Sequence, residues 1–211
     1  MQSVIKSALV ALLIAALPVV AYYLILPNFP FAYSCGLIPG DFVHLQGIPL
    51  MPFAHANQQH LWGNTYQLFL GVFLVFLHFK NVSKYIFLIQ WLGTGVILFF
   101  IGKAGTLHIG SSGVVYGLFG FLIFAGFQAG NRRLRLLSFM LLMYYGGMLW
   151  GVFPWQEKVS WEGHLAGLLV GTVTAVLLRK RYRMFTRDSK PVWFYDSSNR
   201  EDPYRQFDKQ N

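Results

Sequence analysis

Long runs of apolar residues, separated by short polar or proline-rich segments, dominate the hydrophobic pattern of the chain. A helix needs roughly 17–25 mostly apolar residues to cross about 30 Å of hydrocarbon. Six runs meet or approach this length, and they cover residues 5–26, 61–79, 85–102, 113–129, 136–153 and 164–178, the last with 15 residues. The pattern predicts an all-α membrane protein, a bundle of six transmembrane helices that forms one domain over residues 1–180.

The first run is best interpreted as a retained helix. Its 22 residues exceed the 7–15 residues of a signal-peptide core, and only Lys6 precedes most of it. The composition agrees with a membrane domain, because 55% of the residues are hydrophobic and 12% are charged. A soluble domain carries about a quarter charged residues.

The basic residues predict the orientation of the bundle. If the N-terminus is cytoplasmic, 15 of the 17 Lys and Arg residues lie in cytoplasmic segments, and only Lys103 and Lys158 lie outside. This distribution follows the positive-inside rule. We therefore expect a multi-pass protein of the cell membrane with both termini in the cytoplasm. The net charge of +9 is explained by topology and by contact with anionic lipid, so it does not indicate nucleic-acid binding.

Two segments do not fit a spanning helix. Residues 27–59 are apolar but contain five prolines, which predicts a loop lying partly in the outer membrane interface and packed on the helices. Residues 181–211 are basic and then polar, and we expect this tail to be largely disordered.

Polar residues at the start of the fourth run are the first candidates for chemistry. Ser112 stands in the sequence Gly110-Ser111-Ser112-Gly113, at the outer end of the run under the predicted topology. Glycines every third or fourth residue allow this helix to approach a neighbour closely. On this evidence Ser112 is either a nucleophile in a cavity or a helix cap that satisfies a backbone N–H.

His164 stands at the corresponding end of the sixth run, next to Gly163 in a second glycine repeat that continues at Gly167 and Gly171. A histidine here is either an anchor at the membrane interface or a general base. If the two glycine faces meet, Ser112 and His164 lie at similar depth, as proton transfer from a hydroxyl nucleophile requires.

The second run begins with His60 and Asn64, which share one helix face because they are four residues apart. Their N–H groups are suited to bind a developing oxyanion, although they could equally form a polar lining. His55 lies outside the predicted helix and is a weaker candidate. No acidic residue falls inside a run, so we expect a Ser-His dyad, with packing by a residue such as Tyr116 orienting the imidazole. We expect neither a metal site nor a cofactor.

Together these residues resemble the rhomboid family of intramembrane serine proteases. The resemblance covers the membrane domain and rests on HANQQHLWGN in the second run, GSSGVVYG at the start of the fourth and GHLAGLLVG in the sixth. Two features differ from the family. The first loop lacks the common Trp-Arg pair, and FLHFKNVSKYIF stands where a motif containing Gly and Glu is frequent. These differences concern the loop geometry and not the dyad.

The resemblance implies that Ser112 is the nucleophile and His164 the general base and acid. It also implies an oxyanion hole of His60, Asn64 and the Ser112 backbone N–H, with Tyr116 packed on the histidine. The implied function is cleavage of transmembrane segments of other proteins in the lipid bilayer. The alternatives are a non-catalytic rhomboid-like protein that binds and escorts membrane proteins, and, less favoured, a small transporter or channel.

Overall fold

A computed structural model describes residues 2–25, 35–155 and 160–186 of the protein. These residues form helices, turns and one isolated β-bridge, and no β-strand occurs among them. The α-helices are α1 Gln2–Val20, α2 Gly47–Leu50, α3 Gln58–His78, α4 Ser83–Ile101, α5 Ser112–Gln128, α6 Arg132–Tyr145, α7 Trp161–Leu177 and α8 Arg179–Thr186. The predicted all-α fold class is confirmed.

Each of the six apolar runs contains a helix, but the helices differ in length. Four helical segments are long and apolar enough to cross a membrane, namely Gln2–Leu24, Gln58–His78, Ser83–Ile101 and Arg132–Val152. The other two, α5 and α7, have 17 residues each. Since each residue adds 1.5 Å, each of these two helices is about 25 Å long, shorter than the hydrocarbon core of a bilayer.

The shorter helices α5 and α7 pack against each other through their glycines. A Cβ atom added at Gly167 would overlap the carbonyl oxygen of Gly113, and one added at Gly171 would overlap that of Gly117. The two backbones are therefore in direct contact, and only glycine permits this separation. The two glycine faces thus meet, which is the condition set above for Ser112 and His164 to lie at similar depth, and the N-termini of α5 and α7 come together.

The described part of the first loop, residues 35–57, packs on the same end of the bundle. Leu37 and His108 exchange two backbone hydrogen bonds, of 2.9 and 2.8 Å. The N–H of Gly110 donates to the carbonyl of Met51 at 2.8 Å. Because these bonds satisfy backbone groups of both segments, the loop fixes the chain that leads to Ser112. Residues 27–34, also part of the predicted loop, lie outside the described residues.

The helix α6 contacts the bundle through a narrow face, with Leu134, Ser138 and Leu141 buried. In the middle of the helix, Ser138 Oγ donates to the carbonyl of Leu122 in α5 at 3.1 Å. At its C-terminus it continues as a 3₁₀ helix, Gly146–Val152. On the outer face of α6, Leu136, Phe139, Met140, Met143 and Tyr144 are exposed, as expected for a surface in contact with lipid. The 3₁₀ helix lies against the candidate site described below.

The helix α8 corrects part of the expectation for the tail. Residues 181–186 are helical rather than disordered, because Tyr182 anchors them in the bundle. Tyr182 is 1% exposed and its ring packs edge-on against Phe79 and Phe121. Its hydroxyl donates to the carbonyl of Ala175 at 3.0 Å. Residues 187–211 of the tail lie outside the described residues.

Candidate active site

Ser112 and His164 are in hydrogen-bond contact where α5 and α7 begin. Ser112 is the first residue of α5, and its Oγ lies 3.0 Å from Nε2 of His164, in the first turn of α7. Ser111, not Ser112, occupies the N-cap position, and it makes no side-chain capping bond. The interpretation of Ser112 as a helix cap is therefore not supported, since its hydroxyl contacts the imidazole instead.

Two groups hold the ring of His164. The phenol ring of Tyr116 stacks on the imidazole, with centroids 4.1 Å apart and an interplanar angle of 8°. On the edge of the ring, Nδ1 lies 2.9 Å from the carbonyl oxygen of Gly151 in the 3₁₀ helix. A carbonyl oxygen only accepts hydrogen bonds, so Nδ1 carries the proton. Nε2 is then unprotonated and is able to accept the proton of the Ser112 hydroxyl.

The carbonyl of Gly151 occupies the position that an aspartate has in a Ser-His-Asp triad. Packing alone was expected to orient the imidazole, and this expectation was incomplete, because a backbone carbonyl also bonds to the ring. Tyr116 is itself fixed, because its hydroxyl donates to the carbonyl of Met148 at 2.6 Å. The 3₁₀ helix thus supplies two backbone acceptors, one for each ring of the stacked pair.

His60 and Asn64 lie on the other side of the Ser112 segment. Gly110 has a φ of +104°, a conformation that favours glycine. A Cβ atom there would be 2.8 Å from His60 Nε2 and 3.3 Å from Asn64 Nδ2. Both side chains therefore approach the backbone two residues before Ser112. The structure brings all the residues named from the sequence to one end of the bundle.

His55 has a larger part in this arrangement than the sequence indicated. Its Nε2 accepts a hydrogen bond from Asn64 Nδ2 at 3.1 Å, and its ring packs edge-on against His60 with centroids 5.0 Å apart. Burial, together with the neighbouring His60, lowers the pKa of His55 to about 4. The imidazole is therefore neutral near pH 7 and remains an acceptor. The second N–H of Asn64 is left for a ligand.

A cavity opens beside His164, on the side of the 3₁₀ helix. Its volume is about 560 Å³, enough for a peptide segment with a large side chain. Its walls include Tyr116 and His164 and are otherwise formed by Gly147, Met148, Trp150, Gly151, Phe153 and Trp155. The aromatic side chains make it apolar around a polar centre. Chemically, the site combines a hydroxyl, an unprotonated imidazole nitrogen, N–H donors and an adjacent apolar space.

Side chains suited to metal ions do not converge in this site. No group of three His, Cys, Asp or Glu residues with the geometry of a metal centre occurs within residues 2–25, 35–155 and 160–186. Glu162, two residues before His164, is 9% exposed and makes no ion pair in these ranges. The chemistry available to the described site is that of the serine and the imidazole.

Known proteins with similar sequences share this part of the chain. The family profile described as Rhomboid domain matches residues 44–181. An uncharacterized protein of Mycobacterium leprae is 38% identical over 144 residues, which cover 64% of this chain and 56% of that protein. YdcA of Bacillus subtilis, provisionally named a rhomboid protease, is 27% identical over 170 residues, or 72% of this chain and 76% of YdcA. The match thus spans little more than half the length of the mycobacterial relative.

Proposed function

Because the chain belongs to the rhomboid family, we propose that it is an intramembrane serine endopeptidase that cleaves transmembrane segments of other membrane proteins. The observation that carries this proposal is the 3.0 Å contact between Ser112 Oγ and His164 Nε2. The proton on Nδ1 of His164, fixed by the Gly151 carbonyl, supports the same role, because it leaves Nε2 free to act as a base.

The proposed reaction begins with local unwinding of the substrate helix, since an intact helix engages its carbonyl groups in hydrogen bonds. His164 Nε2 takes the proton of Ser112 as Oγ attacks the exposed carbonyl carbon. The resulting oxyanion is bound by His60, Asn64 and the backbone N–H of Ser112. His164 then donates its proton to the leaving amine, and a water molecule, activated by the same imidazole, hydrolyses the acyl-enzyme.

Throughout these steps the imidazole alternates between neutral and positively charged forms. The Gly151 carbonyl accepts a hydrogen bond from Nδ1–H in both forms, and this bond stabilises the positive charge of the imidazolium. A carbonyl dipole has no net charge, so it does so less strongly than a carboxylate would. Stacking on Tyr116 keeps the ring in the plane that faces Ser112. The proposed reaction requires no metal ion and no cofactor.

The helices α5 and α7 are shorter than the hydrocarbon core is thick. Their N-termini, with Ser112 and His164, can therefore lie below the membrane surface at the bottom of a space that water enters. The two helices are about 25 Å long, against about 30 Å for the hydrocarbon core. If their C-termini reach the cytoplasmic interface, Ser112 lies several ångströms below the outer surface. We propose this orientation, with both termini cytoplasmic. A reporter active only outside the cell, fused after Asn211, should then be inactive, and activity would refute the orientation.

Labelling with a fluorophosphonate tests the proposed activity directly. The reagent modifies an activated serine hydroxyl, so the purified protein should be labelled and Ser112→Ala should not. Ser111→Ala is the matched control, because Ser111 is a neighbouring serine whose buried Oγ has no hydrogen-bond partner within the described residues. We expect it to retain substantial labelling and cleavage. A folded wild-type protein that binds membrane proteins but is never labelled would support the escort function instead.

A further inference from the structure

His108 lies between the two helices of the candidate pair without being part of it. It stands in the loop between α4 and α5, four residues before Ser112, and is 5% exposed. Its backbone N–H and carbonyl are both hydrogen-bonded to the backbone of Leu37 in the first loop. The imidazole is therefore held in place from the backbone, and its two nitrogens face two different segments of the chain.

The hydrogen bonds of the ring determine its tautomer. Thr106 Oγ1 donates its proton to the carbonyl of Lys103 at 2.6 Å, and it lies 2.8 Å from Nε2 of His108. Since the threonine proton is already used, Nε2 of His108 must be the donor in the second bond. Nδ1 is then an acceptor, and it lies 2.6 Å from Ser160 Oγ. The Ser160 hydroxyl therefore donates to His108.

Ser160 is the N-cap of α7. Its Oγ accepts a hydrogen bond from the N–H of Gly163 at 3.3 Å, and its carbonyl accepts one from the N–H of His164 at 3.2 Å. The position of Ser160 thus determines where the first turn of α7 lies, and that turn carries His164. The hydroxyl serves both roles at once, as acceptor for the helix and as donor to His108.

We propose that His108 is a positioning residue, which aligns His164 with Ser112 by holding the N-cap of α7 against the loop that leads into α5. This proposal rests on the proposed function. Glycines form the contact between α5 and α7, and such smooth surfaces resist sliding of one helix along the other less than interlocked side chains do. The bond between His108 and Ser160 opposes this sliding at the end where the two reacting side chains meet.

The state of the His108 ring is consistent with this role. Burial lowers the pKa of His108, and the nearby carboxylate of Glu162 opposes the effect only in part. The imidazole is therefore neutral near pH 7, as it must be for Nδ1 to accept a hydrogen bond from the Ser160 hydroxyl. The bond is partly shielded from solvent, because His108 is buried and Ser160 is half-buried.

A double-mutant cycle tests the proposal. We expect His108→Ala and Ser160→Ala each to lower the rate of fluorophosphonate labelling of Ser112 about tenfold, the effect of one hydrogen bond of about 1.4 kcal/mol. The double variant should be no slower than the slower single variant, since both substitutions remove the same bond. His108→Asn should recover part of the rate, because its amide oxygen can replace Nδ1 as acceptor. With a peptide substrate, kcat should fall while KM changes little.

Labelling is measured well below the unfolding midpoint of each variant, so that a loss of stability alone does not lower the rate. If Ser160→Ala does not fold, Ser160→Gly replaces it, because glycine is tolerated as an N-cap but lacks the hydroxyl. His78→Ala is the matched histidine control, because His78 lies at the C-terminal end of α3, away from His60 and the candidate site. Thr172→Val removes a hydroxyl that bonds only within α7, to the carbonyl of Leu168 at 2.9 Å. Both controls should be labelled at the wild-type rate.

The outcomes separate this proposal from the proposed function. Labelled wild-type protein with unchanged rates in His108→Ala and Ser160→Ala would overturn the positioning role alone. Additive losses in the double variant would also overturn it, because the two residues would then act independently. A wild-type protein that is folded but not labelled would refute the proposed function, and the positioning role with it.

Discussion

The contact between Gly151 and His164 leads to a prediction about a residue that has no side chain. An alanine at Gly151 would place its Cβ over the hydroxyl oxygen of Tyr116 and 3.1 Å from Nδ1 of His164. The backbone itself accepts alanine, because Gly151 does not have a positive φ. The added methyl group therefore acts only by displacing the stacked rings or the 3₁₀ helix.

Either displacement disturbs the orientation of His164. Moving the 3₁₀ helix lengthens the 2.9 Å bond from Nδ1 to the Gly151 carbonyl, and moving Tyr116 weakens the stack and its 2.6 Å bond to Met148. Overpacking of this kind costs about 1–3 kcal/mol, and a misplacement of about 1 Å in a reacting group can cost about 100-fold in rate. We expect Gly151→Ala to lower the labelling rate of Ser112 about 10- to 100-fold.

The assay compares labelling rates in detergent at a temperature where every variant is folded. Gly147→Ala is the matched control, because a Cβ at Gly147 has no atom within 4 Å, and its rate should stay within about twofold of wild type. Adding Tyr116→Phe to Gly151→Ala removes the overlapped oxygen. The double variant should therefore be labelled faster than Gly151→Ala and close to the rate of Tyr116→Phe alone. A folded Gly151→Ala protein labelled at the wild-type rate would refute the role assigned to the 3₁₀ helix.

Three further predictions concern the oxyanion hole, the contact between α5 and α7, and the pH dependence of stability. His60→Ala and Asn64→Ala should each slow cleavage by up to about 10²–10³-fold yet leave labelling detectable, and wild-type cleavage in both would assign the oxyanion hole to backbone amides. Gly171→Ala should lower the free energy of unfolding by about 1–3 kcal/mol, whereas Gly63→Ala, with open space around its Cβ, should not, and equal unfolding midpoints would contradict the α5–α7 packing. Because the pKa of His55 is lowered from 6.5 to about 4, the unfolded chain binds its proton first as the pH falls. Stability should therefore decrease by at most about 3 kcal/mol from pH 6.5 to pH 4, and an unchanged pH dependence in His55→Gln would contradict this origin.

The parts of this fold that were predictable share a physical cause, the cost of polar groups in hydrocarbon. That cost produces long apolar runs, and it makes Ser112, His164 and the glycine repeats stand out within them. The spacing of the glycines made a direct contact between α5 and α7 possible, because only glycine lets two helix backbones touch. The helical state of residues 181–186 was not predicted, since the single anchoring residue, Tyr182, is surrounded by arginines and lysines in the sequence.

The hydrogen-bond acceptor for His164 could not be predicted from the sequence, because it is a backbone carbonyl and every residue carries one. What selects the carbonyl of Gly151 is the 3₁₀ helix that follows α6, which turns that oxygen towards the ring. The nearby glycines mark the segment as deformable but do not indicate which oxygen is used. His108 is an intermediate case, since it was visible in the sequence four residues before Ser112 but had no assigned partner. Its partner, Ser160, lies 52 residues away, and only the packing of α5 on α7 brings the two together.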